Sequence, residues 1–184
     1  SRKKDLENLG YIVNLYDPTS NISDLFSELE TDTNAVILDY RLTKGKNNAC
    51  FDAPTIAQTL RTKHKDDAND IPLILMSNEK IKVDEFDKDF TSQDLFDFVL
   101  TKEDFTRDNR KFTAKLNSFI NSYITIRAKE FDLEKILNFK SDEKRILHSR
   151  IVAKKEVLGS NVFKISCLIH DDVVRPIGLL IGSD

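Results

Sequence analysis

The sequence predicts an α/β fold built on a parallel sheet, and three observations carry that prediction. Short apolar runs, Ala35-Val36-Ile37-Leu38, Ile71-Pro72-Leu73-Ile74-Leu75-Met76 and Phe96-Asp97-Phe98-Val99-Leu100, have the length and composition of strands buried on both faces. The stretches between them place apolar residues three and four apart, the rhythm of strand-helix-strand units. The chain of 184 residues is long enough for one core of about 100 to 150 residues plus a smaller appended unit.

Each element has a local reason. Residues 3–9 read as the end of a helix closed by Gly10, the residue type that most readily takes a left-handed backbone at a helix C-terminus. Tyr11-Ile12-Val13-Asn14-Leu15-Tyr16 reads as a strand stopped by Asp17-Pro18. Ser20 or Asn21 caps a helix whose apolar face is Ile22, Leu25, Phe26 and Leu29. After the strand at 35–38 and a polar passage at 42–48, a helix runs through Ile56, Ala57 and Leu60. Pro54 suits its first turn, where no N–H is needed. A charged, solvated connection at 63–70 leads to the strand at 71–76, which ends at Ser77, and a short acidic helix carries Phe86 and Phe90. The strand at 96–100 is followed at once by Lys102. A long amphipathic helix over 106–129 has Phe112, Leu116, Phe119, Ile120 and Tyr123 on its apolar stripe. Residues 131–159 read as helical, with Ser141 as an internal cap. Residues 162–169 and 177–181 read as short strands around the turn Arg175-Pro176.

Composition narrows the function classes. Apolar residues make up 40% and charged residues 32%, the balance of a soluble globular chain. A net charge of -3 gives no electrostatic footprint for nucleic acid or an anionic membrane, and Lys154-Lys155 is too short a run to alter that. The C-terminal region has no basic recognition helix, which disfavours a DNA-binding regulator. No run approaches the roughly 20 apolar residues that span a bilayer, and no signal peptide opens the chain. Cys50 and Cys167 lie far apart at no metal or redox spacing, as free thiols of a cytoplasmic protein would. His64, His148 and His170 have no partner at catalytic or metal spacing. The acidic run at 84–89 lacks the alternating ligands and turn glycine of a calcium loop, so it reads as a solvated helix face.

Asp39, Ser77 and Lys102 each stand at the C-terminal end of a predicted parallel strand. Ligands of open α/β sheets bind outside those ends, so three reactive side chains delivered there form a candidate site. Singly they are bland: a turn carboxylate, a polar residue, a solvated lysine. Together they suit one reaction. A carboxylate can attack a phosphoryl donor to give an aspartyl phosphate, a lysine can offset the phosphoryl charge, and a hydroxyl can donate a hydrogen bond to it. A divalent cation is needed to offset the repulsion between carboxylate and phosphate, and Mg²⁺ prefers carboxylate and water oxygens.

Three segments resemble the signature strands of response-regulator receiver domains, in that family's order: Ala35-Val36-Ile37-Leu38-Asp39-Tyr40-Arg41-Leu42, Ile71-Pro72-Leu73-Ile74-Leu75-Met76-Ser77 and Phe98-Val99-Leu100-Thr101-Lys102. The resemblance spans residues 1–123. It implies that Asp39 accepts the phosphoryl group, that Ser77 turns toward it, that Lys102 neutralises it, and that Mg²⁺ is held by Asp39 and the backbone carbonyl of Arg41. Three departures stand out: Glu103 follows the lysine where the family usually has proline, Val99 stands at the position of a switch aromatic with Phe98 beside it, and the loop after Arg41 is long. The chain starts inside what would be the helix after the family's first strand, so that strand and its acidic metal-binding pair are expected before Ser1. A permuted arrangement would instead use residues 163–169 and Asp171-Asp172.

The expectation is therefore a flavodoxin-like doubly wound parallel sheet, receiver-like, over residues 1–125, followed by a helical extension with a small β element over 126–184. Such a module is a signal receiver rather than an enzyme. A histidine kinase or small phosphodonor would phosphorylate Asp39, and the change would alter contact with an output protein or domain. Continuation of the apolar stripe past Ile126 would suit a homodimer or an interdomain contact. The competing expectation is a phosphorylation-independent pseudo-receiver acting as a scaffold in a larger bacterial assembly.

Overall fold

The computed structural model describes residues 2–16, 29, 32–40, 51–63, 70–78, 94–139 and 149–174. Among the sequence expectations, the helix through Ile22, Leu25 and Phe26, the passage 42–48, the acidic helix near Phe86, the strand at 177–181, and Arg41, Cys50, His64, Ser141 and His148 lie outside the described residues. Among the described residues the fold is mixed α/β with a three-stranded parallel sheet. The chain forms two compact units, one comprising Ser1–Thr59 with Leu73–Asn117 and the other Leu60–Pro72 with Ser118–Asp184.

In the first unit α1 (Arg2–Asn8) ends as its sequence predicts: Gly10 takes φ 92°, its N–H donates to the Glu7 carbonyl, and the Tyr11 N–H donates to the Leu6 carbonyl. These two bonds satisfy carbonyls that the helix itself leaves open. Strands β1 (Val36–Asp39), β2 (Leu73–Ser77) and β3 (Phe98–Thr101) lie in that order, all parallel. Val36 aligns with Leu73 and Asp39 with Met76, while Ile74 aligns with Phe98 and Ser77 with Thr101. Every residue of the central strand β2 is buried, which is why its sequence is an unbroken apolar run before Ser77. Its start is fixed chemically. Pro72 has no N–H to donate, and the Leu73 N–H donates instead to Asp97 Oδ2 at 2.8 Å while the Asp97 N–H donates to the Leu73 carbonyl at 2.9 Å.

Helix α2 (Ala53–Lys63) begins at Asp52, whose carboxylate accepts from the Thr55 N–H at 3.0 Å, and Pro54 occupies its first turn. Directly after β3 come α3 (Lys102–Arg107) and α4 (Asn109–Ala128). The single helix expected over 106–129 is thus two. Asp108 leaves helical geometry at φ −146° and its carboxylate accepts from the Lys111 N–H, so it closes one helix and caps the next. Phe112 packs edge-on against Phe98 and Phe105, at centroid distances of 6.1 and 5.2 Å. Residues 11–16, expected as a strand, adopt no regular structure; Ile12 is 96% exposed and Leu15 71% exposed. Alternating apolar residues make a strand only where a neighbouring strand accepts their backbone hydrogen bonds.

The regular structure described in the second unit is helical. Tyr123, Ile126, Leu133, Ile151, Val162, Ile165 and Leu168 form its buried core. Helix α5 (Leu133–Ile136) is capped by Asp132, and α6 (Ser149–Leu158) and α7 (Val162–Ile169) follow. Residues 162–169 were expected as a strand and are α7 instead. Asn161 accepts from the Lys164 N–H at 2.9 Å, and Val162, Ile165 and Leu168 bury one helical face. His170–Val174 continue as a π-helical turn, so Asp171 and Asp172 do not end a strand and the permuted arrangement falls.

Candidate functional site

Parallel pairing places the C-terminal ends of β1, β2 and β3 at one end of the sheet, and the candidate residues follow from that register. Asp39 ends β1, and the Tyr40 N–H extends the ladder one step further to the Met76 carbonyl at 3.0 Å. Ser77 ends β2 opposite Thr101, and Lys102 comes next in the chain. The Lys102 ammonium is hydrogen-bonded and ion-paired to Asp39 Oδ2. The side chains are 20% and 45% exposed, so the pair is partly wet and its carboxylate is open to solvent. Two residues far apart in sequence are therefore joined by charge at the C-terminal end of the sheet, where open α/β sheets bind ligands.

Ser77 is placed differently. Its side chain is buried and its hydroxyl donates to the Asn78 carbonyl at 3.2 Å. The Arg41 carbonyl lies outside the described residues. Among the described residues no three His, Cys, Asp or Glu side chains converge as metal ligands, and no helix is long and apolar enough to cross a membrane.

Helix α3 explains how Lys102 is presented. Thr101 is its N-cap, with extended backbone (φ −82°, ψ 151°), and its hydroxyl accepts from the Asp104 N–H at 2.8 Å. Lys102 is then the first helical residue, a position where the helix dipole disfavours a cation; Glu103 and Asp104 in the same turn, and Asp39 across from it, offset that cost. The Thr101-Lys102-Glu103-Asp104 pattern of hydroxyl and carboxylate three apart is a helix-start signal that the strand reading of 96–100 passed over.

A second polar cluster lies in the helical unit. Arg61 Nη1 donates to Asp70 Oδ1 at 2.7 Å, to the Ile71 carbonyl at 3.0 Å and to the Tyr123 hydroxyl at 3.4 Å. The guanidinium stacks 3.6 Å from the Phe163 ring centroid. Arg127 donates to the Asp70 carbonyl at 2.8 Å. The Arg61 and Asp70 side chains are only 7% and 3% exposed, so Asp70 belongs to the interior rather than to a solvated connection. Asp70 Oδ2 is buried without a hydrogen-bond partner. The same unit has an open hollow of about 400 Å³ bordered by Val157, Leu158, Cys167 and Leu168. At its edge Lys154 donates to both carboxylate oxygens of Asp172, at 2.7 and 2.8 Å, which ties up half of the basic pair. His170 is exposed, with Nδ1 2.9 Å from Asp171 Oδ1.

No family model, curated protein or solved structure matches this chain. What the Asp39 site can do is therefore read from its geometry and its chemistry.

Proposed function

We propose that the sheet unit is a flavodoxin-like, receiver-type signalling domain in which Asp39 accepts a phosphoryl group and thereby switches a protein-protein contact. The observation that carries this proposal is the Asp39–Lys102 pair at the C-terminal end of a parallel sheet ordered β1-β2-β3. A carboxylate oxygen of Asp39 attacks phosphorus, the bond from phosphorus to the leaving group breaks, and the leaving group departs with the electron pair. The donor is the phosphohistidine of a kinase or a small acyl phosphate. Before reaction Lys102 holds the carboxylate, and afterwards it faces a more negative group at the same place, so its attraction grows with the reaction. The exposed, hard oxygens of Asp39 suit Mg²⁺, which when bound would offset the repulsion between nucleophile and donor; the Arg41 carbonyl is its other proposed ligand. The domain is proposed to be cytoplasmic, with a kinase or phosphodonor upstream and an output protein or domain, or a second copy, downstream.

Intact mass after incubation with acetyl phosphate and Mg²⁺ tests this, beside an Asp39→Asn control. Gain of one phosphoryl group by the parent alone supports the switch. No gain by the folded full-length protein overturns it. One observation favours the second reading, a phosphorylation-independent interaction module: the Ser77 hydroxyl is buried and engaged by the Asn78 carbonyl instead of being offered to a phosphoryl group.

A further inference from the structure

We infer that Thr101 is a positioning residue for Lys102: its hydroxyl fixes where α3 begins, and so fixes where the Lys102 ammonium stands against Asp39. Two restraints meet at Thr101. Its backbone is the last of β3, aligned with Ser77 of the central strand. Its hydroxyl, in a buried side chain, takes the Asp104 N–H at 2.8 Å. Lys102 lies between the strand and the capped turn, and the Lys102 carbonyl accepts from the Thr106 hydroxyl at 2.9 Å. The first turn is tightened further by Arg107 Nη2 on Asp104 Oδ1 at 2.6 Å. A lysine stem has four rotatable carbons and loses much rotamer freedom when its head is held, so a fixed starting point for the stem reduces what the ion pair must overcome. The helix dipole does not favour a cation at this position; Glu103, Asp104 and Asp39 offset that charge cost, and the cap sets where the stem begins. A threonine ending a strand could equally be present for its β-branched shape. Thr101→Val keeps that shape and removes the acceptor, whereas Thr101→Ser keeps the acceptor.

The effect on phosphorylation rests on the proposed role of Asp39, but the effect on the ion pair does not, and the experiment reads both. The coupling between Asp39→Asn and Lys102→Met is measured by denaturant unfolding in the parent, in Thr101→Val and in Thr101→Ser. In the parent it is expected to change the unfolding constant by about two- to fivefold, the range of partly exposed pairs. It should vanish with Thr101→Val and return with Thr101→Ser. The rate of phosphorylation by acetyl phosphate should fall by about five- to tenfold with Thr101→Val, the size of a lost cap, and recover with Thr101→Ser. If Thr101→Val lowers overall stability but leaves the coupling intact, Thr101 is an ordinary cap and the inference is overturned. Absence of coupling in the parent overturns it as well. If the parent takes no phosphoryl group, the reading of Asp39 fails by itself and the coupling measurement alone decides the role of Thr101.

Discussion

Two of the acid-base pairs among the described residues have opposite character. Asp39–Lys102, in the sheet unit, is partly open to water. Arg61–Asp70, in the helical unit, is sealed, with one carboxylate oxygen bonded to Arg61 and to the Ile71 N–H at 3.0 Å and the other unpartnered. A wet pair holds little energy and can be remade around a new group. A sealed pair repays the cost of desolvating its charges only while all of its partners stay in place. Solvent exposure therefore separates a pair suited to chemistry from one suited to architecture, although the residue types are nearly the same.

The largest expected effect breaks the sealed pair. Arg61→Met leaves the Asp70 carboxylate buried without a cation and should cost about 3–5 kcal/mol in urea unfolding, whereas Arg61→Met combined with Asp70→Leu should recover much of the loss. A double variant as unstable as the single would show that the cluster's other bonds, to Tyr123 and from Arg127, matter more than its charge. The wet pair should behave oppositely. Lys102→Met should lower stability by no more than about 1 kcal/mol and should become indistinguishable from the parent in high salt, because exposed pairs are weak and screened. A loss that persists in salt would place Lys102 with the sealed pair.

Two smaller effects refine the contrast between the units. Glu130, two residues past the end of α4, has φ 55°, a left-handed backbone that costs a non-glycine residue about 1 kcal/mol, so Glu130→Gly should raise stability by up to about that amount. It should also return Lys135, whose pKa Glu130 raises by hydrogen bond and charge, toward its ordinary value, readable by NMR titration. In the sheet unit, burial raises the Tyr11 phenol above its ordinary value of 10.0, with its side-chain hydrogen bonds involving Thr113 and Asn117 opposing it in part. The folded state thus holds this proton more tightly than the unfolded state. The associated stability is complete below about pH 10 and is lost as pH rises through the raised value; Tyr11→Phe should lack that component of alkaline unfolding.

Much of the sheet was legible because a buried parallel strand leaves a continuous apolar run, and all three runs became β1, β2 and β3 with ends shifted by one or two residues. Those shifts have causes no apolar pattern carries: the missing N–H of Pro72 and the Asp97 carboxylate taking the Leu73 N–H. Residues 162–169 misled for the same reason that the strands succeeded. A short apolar run suits a buried strand or a buried helix, and the deciding signal was the Asn161 cap followed by Val162, Ile165 and Leu168 at helical spacing. At the site, the meeting of Asp39 and Lys102 was readable from strand ends. The turn of the Ser77 hydroxyl toward Asn78 was not, because a rotamer depends on its immediate surroundings. Arg61 and Asp70 were invisible as partners, since a charged residue at the end of an apolar helical face looks like an ordinary solvated side chain until the fold encloses it.

The sheet register also bears on how the chain folds. Val36 must find Leu73, and Ile74 must find Phe98, across long intervening stretches, whereas the caps of α5 and α7 close within a single turn. Local helices form within about a microsecond, while pairings distant along the chain must first overcome the entropy of closing their loops. The sheet that carries Asp39 is then the slower element to assemble, and until it does, Leu73-Ile74-Leu75-Met76 is an uncharged, strand-prone segment open to other chains. Pro72, at the head of that segment, has no N–H to offer a foreign strand and so shortens by one donor the ladder that such a strand could build there.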